Sequence, residues 1–245
     1  MTIELEPSGD AARYLTMDRV DLRRYAEALK RCLLLLRVEP GDILAYFEFG
    51  TSPVVYLSSS CYVPYLRRGA AEALGCITIC NDGVATMSDR AVEILRYVRP
   101  RFFFVRVDCL FPFVSACERT GIQASRYVEA LVVTQNDGGV PRGLLERSSD
   151  SLGVPIYRLP RCDEALFFAP ECPECRCLHT WPEMYRVELA APGTLDAVPS
   201  GQRGLLRVSN RFVRSRPRSQ VLTALEGQLA EGSCPRGPED LRLYP

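Results

Sequence analysis

Strand-like and helix-like segments alternate from residue 17 to residue 160, and this alternation leaves the chain few architectures. Met17–Leu36 carries Val20, Leu22, Tyr25, Ala28, Leu29 and Cys32 at helical spacing, with Asp18 placed as a cap and Pro40-Gly41 as a stop. Short apolar runs at Asp42–Phe47, Cys76–Cys80, Arg101–Val105, Leu131–Thr134 and Ile156–Leu159 read as buried strands. Helical stretches are expected between them, over 53–75, from a Ser88 cap to Tyr97, over 111–119 and over Pro141–Leu152. Strands separated by helices predict an α/β fold, a mostly parallel sheet layered with helices.

The pattern changes near residue 165. Tyr185–Leu189 and Gly204–Ser209 place Val187 with Leu189, and Leu206 with Val208, at the two-residue period of a half-buried strand. A small β-rich subdomain is therefore expected after the α/β body, giving domains 1–165 and 166–245. The tail from about 230 is rich in Gly, Pro and charge and offers little core.

Composition adds limits. With 245 residues and 47% hydrophobic content, the chain can bury a sizeable core. Thirty basic residues balance thirty acidic ones, so nothing in the total points to nucleic acid or another polyanion. Lys30 is the single lysine, and any mechanism needing a catalytic lysine has that one candidate. The acidic, polar start shows no signal peptide and no apolar run reaches membrane-spanning length. Cys32, Cys61, Cys76, Cys80, Cys109 and Cys117 lie in apolar segments and read as buried thiols of a reducing cytoplasm.

The remaining cysteines are arranged differently. Cys172, Cys175, Cys177 and His179, the only histidine, fall in one short window, and Cys234 follows in a Ser-Cys-Pro-Arg-Gly turn. Thiolates and imidazole at this spacing suit a tetrahedral zinc ion. Cys172, either Cys175 or Cys177, His179 and Cys234 would form a closed and hence structural set, stapling the tail to the body. If Cys234 does not reach, the local four are the alternative. A nucleic-acid-binding zinc ribbon would need two Cys-x-x-Cys units, and one is present.

The order of segments resembles the phenylacetate–coenzyme A ligase branch of the adenylate-forming superfamily. Pro7–Asp18 looks like its phosphate loop, and Val38-Glu39-Pro40-Gly41-Asp42 like its Val-x-Pro-Gly-Asp strand entry. Tyr157–Arg161 looks like the Tyr-Gly-x-Thr-Glu motif. Glu171-Cys172, Leu178-His179 and Val187-Glu188 look like the Glu-Cys, Leu-His and Val-Glu series. Gly204–Ser209, Arg214–Ser219 and Cys234–Gly237 are similar to the Gly-Glu-Leu strand, the Arg-Tyr-Arg-Thr-Gly-Asp motif and the terminal Cys-Pro-Cys-Gly turn. The resemblance implies an acyl pocket from Phe104 to Phe113, Gln135 to Gly138 and at Tyr157. Its substrate-binding candidates are Phe104, Asp108, Gln135, Asp137 and Tyr157. It also implies a structural zinc, which some members carry.

The departures touch ATP. Asp10-Ala11-Ala12 stands where the family has Thr-Thr-Gly, setting a carboxylate against phosphate. Arg161 stands at the acidic residue that helps hold magnesium, Ser219 stands at the ribose-binding aspartate, and the chain stops where the lysine-bearing carboxy-terminal domain would start. ATP is therefore not expected as a cofactor. The expected function is binding or ATP-independent transformation of an aryl or acyl carboxyl derivative in specialised biosynthesis, by acyl transfer, condensation or cyclisation. The alternatives are a non-catalytic partner of a complete ligase or carrier protein, and a ligase core completed by separate polypeptides. Loss of covering domains predicts a homodimer or a partner protein. Asp108, Cys109, Asp137, Cys162, Asp163 and Glu183 are the acid–base and nucleophile candidates, none singled out by a motif. The arginines from Arg203 to Arg218 read as a solvated face or, alternatively, an anion clamp.

Overall fold

The computed structural model describes residues 2–5, 13–138, 140–194, 196–199, 201–214, 220–229, 234–236 and 241–244. The phosphate-loop residues 7–12 and Ser219 lie outside the described residues. In chain order the elements are β1 (Thr2–Leu5), β2 (Arg13–Thr16), α1 (Arg19–Leu35), β3 (Ile43–Phe47), α2 (Pro53–Tyr56), α3 (Ala70–Ala73) and β4 (Ile77–Asn81). Then come α4 (Ser88–Val98), β5 (Phe102–Arg106), α5 (Val107–Thr120), β6 (Ala130–Asn136), α6 (Arg142–Leu152), β7 (Ile156–Cys162) and β8 (Phe167–Phe168). Five strands complete the series: β9 (Leu178–Thr180), β10 (Tyr185–Ala190), β11 (Arg203–Asn210), β12 (Val221–Leu229) and β13 (Leu241–Tyr244).

The protein is α/β. A mostly parallel six-stranded sheet runs in the order β4-β3-β5-β6-β7-β8, and an antiparallel sheet runs in the order β10-β11-β12-β13-β9. Two compact units are discontinuous in sequence: unit 1 comprises 1–36, 136–139 and 160–245, and unit 2 comprises 37–135 and 140–159.

In unit 2, β3 pairs in parallel with β4 and β5, and β5 pairs in parallel with β6. One sheet face carries Ala45, Phe47, Phe103, Val105, Leu131 and Val133 against Leu95, Leu110, Phe113 and Leu152 of the helices. On the opposite face Tyr46 stacks on Phe104, ring centroids 4.7 Å apart. Burial of such a set, at about 1.5–3 kcal/mol for each large apolar side chain, is the main force holding the layers together.

In unit 1, α1 is capped as its sequence predicts: Asp18 Oδ1 accepts from the backbone amides of Val20 and Asp21, both at 2.7 Å. Its Tyr25 stacks on Phe168 at 4.9 Å. Phe167 meets Tyr185 edge-on, and the Tyr185 hydroxyl donates to the Leu166 carbonyl at 2.9 Å.

Several elements depart from the sequence-based expectation. The helix expected over 53–75 is two four-residue helices, α2 and α3, joined by an irregular loop. Pro64 lacks the amide a continuous helix needs, and Ser59 and Ser60 bond to Glu72 instead. Ser88 begins α4 and does not cap it; its hydroxyl donates to the Ala85 carbonyl at 2.6 Å. Helix α5 starts directly after β5 and tolerates Pro112 within it. The tail also has more structure than its composition predicts, because β13 inserts between β12 and β9, with Leu243 buried. Cys61, expected inside, is exposed.

Candidate functional site

The candidate metal-ligating residues come from three short pieces of unit 1. Between Cys172 and Cys175 the chain makes a tight turn, closed by the Arg176 amide donating to the Cys172 carbonyl at 3.0 Å and the Cys172 amide donating to the Cys177 carbonyl at 2.9 Å. Arg176 lies in the left-handed region, φ 58°, where the turn requires the backbone to reverse. His179 sits in β9, its amide donating to the Pro170 carbonyl at 2.9 Å. Cys234 arrives from the segment between β12 and β13, buried beside Leu35 of α1.

These pieces bring Cys172, Cys175, His179 and Cys234 together, one donor atom from each, all within 4.8 Å of one another. Cys172 Sγ is 3.8 Å from Cys234 Sγ, and Cys175 Sγ is 3.3 Å from His179 Nε2. A tetrahedron with metal–sulfur bonds of about 2.3 Å has sulfur–sulfur edges of about 3.8 Å. The cluster can hold one metal ion, and three of its four residues are buried. Desolvation, the largest cause, pushes the Cys172 thiol up to about 11, and a bound cation would oppose that shift. Cys177 is not in the cluster; its Sγ lies 3.5 Å from the Cys175 carbonyl oxygen. The choice left open between Cys175 and Cys177 thus falls to Cys175. Arg236 and Glu174 form an ion pair at 3.8 Å across the same pieces of chain.

The other sequence candidates lie in several elements of the two units. Phe104 is wholly buried in the unit 2 core. Asp108 is half exposed in the first turn of α5 and pairs with Arg106, whose guanidinium holds its carboxyl below the usual range. Gln135 is half-buried near the end of β6, and its Oε1 is a buried atom with no hydrogen-bond partner. Tyr157 is half-buried in β7. Asp137, in unit 1, adopts φ 46°, and its Oδ1 accepts from the Ala224 amide at 2.7 Å, fastening β12. Cys162 is buried and desolvation pushes its thiol to about 12; Cys109 is pushed to about 11 by the same cause. Neither thiol is poised as a nucleophile at neutral pH. Asp163 is buried against Arg161, and Glu183 pairs with Arg31. In the arginine run, Arg207, mostly buried, pairs with Glu188, and the half-exposed Arg203 pairs with Glu226; Arg216 and Arg218 lie outside the described residues.

Sequence reasoning passed over Glu48 and Arg106. Glu48 is wholly buried just after β3, and Thr134 donates a hydrogen bond to it. The available signal was a carboxylate set directly against a buried apolar strand, Leu44-Ala45-Tyr46-Phe47-Glu48.

The fold is similar to that of solved acyl- and aryl-CoA ligases and of an amide bond synthetase. It matches a 2-hydroxyisobutyryl-CoA ligase, in an open conformation with 2-HIB-AMP and CoA, at TM-score 0.80 and 19% identity, covering 100% of this chain and 55% of that one. It matches the anthranilate CoA ligase AuaEII, in complex with anthranoyl-AMP, at TM-score 0.68 and 10% identity, covering 99% of this chain and 46% of that one. It matches the amide bond synthetase McbA from Marinactinospora thermotolerans at TM-score 0.66 and 12% identity, covering 100% of this chain and 48% of that one. The chain thus spans about half the length of these proteins. No protein-family model and no curated protein matches it. Among the described residues no helix is long and apolar enough to cross a membrane.

Proposed function

We propose that this chain binds an aryl or acyl carboxyl derivative without forming an adenylate, on a fold pinned by a structural zinc ion. The ligand class is that of proteins sharing the fold, two of which hold 2-HIB-AMP and anthranoyl-AMP. Any ATP-independent acyl transfer, condensation or cyclisation would act on the same class. The binding candidates Phe104, Asp108, Gln135, Asp137 and Tyr157 belong to this reading.

The observation that carries the absence of adenylation is Arg161. Its side chain is 1% exposed and locked to Asp163 at the end of β7. By resemblance this position should carry a carboxylate that helps hold magnesium. A fixed guanidinium there repels a divalent cation and occupies the nearest carboxylate. Pyrophosphate exchange tests this: no exchange into ATP is expected with any aryl acid. Exchange at the rate of a competent ligase would overturn it and favour a ligase core completed by separate polypeptides.

Zinc is proposed because three thiolates and an imidazole are soft to borderline donors that select it over magnesium or calcium. Four protein ligands close the shell, so the ion would supply folding energy and no catalytic water. About one equivalent of zinc per chain is expected by elemental analysis, and metal-free folded protein would refute the site.

A homodimer in a cytoplasmic setting completes the proposal. Strand β4 ends the sheet order with the uncharged sequence Ile-Thr-Ile-Cys-Asn, and Ile77 is 57% exposed. Edges of this kind are ordinarily protected by charge, proline or a covering segment. Light scattering at micromolar concentration should give twice the chain mass; a monomer would favour a different partner protein.

A further inference from the structure

The six-stranded sheet reverses its direction of winding between β3 and β5. The chain leaves β3 for β4 on one side, then returns to β5 on the other. In open α/β sheets, ligands settle beyond the carboxyl ends of the strands at such a reversal. Within unit 2, that place is furnished by Glu48 and Phe49 after β3, Arg106 at the end of β5, and Asp108 in the first turn of α5.

Arg106 is held from three sides. Its guanidinium carbon lies over the Phe49 ring, 4.2 Å from the centroid. Its Nε is 4.0 Å from Glu48 Oε1, and Glu48 is wholly buried. Thr134 donates to the other Glu48 oxygen, and the Phe49 amide donates to Oε1 at 3.2 Å. On the third side the guanidinium grips Asp108 with two parallel bonds, Nε to Oδ1 at 2.7 Å and Nη2 to Oδ2.

The two carboxylates differ in one decisive respect. Glu48 is buried and fixed. Asp108 is 54% exposed, and an ion pair with so exposed a partner contributes little and is readily exchanged. Asp108 therefore shows that the fork of Arg106 is shaped for a carboxylate, at a place where another carboxylate can replace it. Apolar surface lies close by. Phe111 is 69% exposed, one turn along α5 from Asp108, and Phe49 lies beneath the guanidinium.

We propose that Arg106 is the carboxylate-recognising residue of a ligand site at the β3–β5 reversal. The site takes an aryl carboxylic acid, and Asp108 is the internal competitor that the acid displaces. On binding, the acid's two oxygens take over the fork while the Asp108 carboxylate turns out to water. The aromatic ring rests against Phe49 and Phe111. This rests on the reading that the protein binds an aryl or acyl carboxyl derivative, and adds which form is recognised, the free acid, and by which residue.

The test is isothermal titration of the full chain with benzoate, phenylacetate and neutral benzamide. The wild type is compared with Asp108→Asn, Arg106→Lys and Arg106→Gln. Removing the competitor should tighten acid binding several-fold in Asp108→Asn. Arg106→Gln should weaken it by about tenfold or more, as loss of a charged hydrogen-bond pair does. Arg106→Lys keeps the charge without the fork and should also bind acids weakly. Benzamide should be indifferent to all three changes. Removing Arg106 strips Glu48 of a nearby cation, so Arg106→Gln is also made with Glu48→Gln, and melting confirms that each variant is folded. Acid affinity that ignores both Asp108 and Arg106 would overturn this inference alone. Failure of every probe to bind the wild type and Asp108→Asn would overturn the underlying reading as well.

Discussion

At the scale of single residues, the cysteine–histidine cluster discriminates between chemically identical thiols. Cys175 and Cys177 are two positions apart, yet only Cys175 brings its sulfur to the other donors. The cause is local: Arg176 takes a left-handed conformation, so the chain reverses and Cys177 is carried past the cluster into the buried stem leading to β9. The expected outcome is a clean asymmetry. Cys175→Ser should lose most of its zinc and several kcal/mol of stability, since the binding energy of a structural ion is folding energy. Cys177→Ser should keep a full equivalent and lose about 1 kcal/mol or less, as a small buried apolar group would. Metal content by elemental analysis and midpoints of urea unfolding measure both. Metal loss in Cys177→Ser with retention in Cys175→Ser would reverse the assignment. The residue types of the site were legible in the sequence because soft donors at close spacing have few other uses. Which thiol would be spare was not, because that depends on one φ angle at an arginine.

At the scale of elements, periodicity marked the parallel strands and α1 well, because their apolar residues face a core on both sides of the sheet or along one helical stripe. It failed over 53–75, where side chain–backbone bonding decides. The carboxylate of Glu72 accepts from Ser59 Oγ at 2.7 Å, Ser60 N at 3.0 Å, Ser60 Oγ at 3.1 Å and Gly69 N at 2.9 Å, latching the loop onto α3. No hydrophobic pattern encodes such a latch. Burial alone would raise the Glu72 pKa, but these bonds outweigh it and hold the carboxyl at about 2, against 4.5 ordinarily. A lowered folded-state value means that the unfolded chain binds the proton more readily. The latch is therefore fully stabilising above about pH 4.5 and is lost as pH falls towards 2. Glu72→Gln should melt lower at pH 7, by about 1–3 kcal/mol, and the difference from wild type should shrink through that acid window. A constant difference from pH 7 to pH 2.5 would argue against the latch. Gly69 is its other half: a Cβ there would lie 2.2 Å from the Ser58 carbonyl carbon and oxygen. Backbone cannot yield cheaply, so Gly69→Ala should cost about 3 kcal/mol or more in chemical denaturation.

At the scale of the whole molecule, the cysteine–histidine cluster joins sequence positions that are far apart. Cys172 and Cys234 are 62 residues apart, and the four strands β9, β10, β11 and β12 lie between them. The last strand, β13, follows Cys234 and is four residues long; among the described residues it pairs at two positions with β12 and at three with β9. So short a strand is marginal without an anchor at its entry. An ion bridging Cys172, Cys175, His179 and Cys234 would supply that anchor by fixing the turn before β9 and the approach to β13 together. Closing a loop of this length removes chain entropy that the unfolded state would otherwise keep. Removing the ion should therefore act on unit 1 and spare unit 2. Hydrogen exchange after treatment with a strong chelator measures this directly. The amides of Leu178–Thr180 and of β13 should lose protection first, while those of Phe102–Val105 and Leu131–Val133, paired within the parallel sheet and fully buried, should exchange as before. Readdition of zinc should restore the slow exchange, and magnesium should not, because thiolates bind it poorly. Uniform loss of protection across both sets would mean that the ion sustains the entire fold. Unchanged protection at β13 would show that hydrogen bonding to β9 and β12 suffices, and the anchoring role would then have to be abandoned.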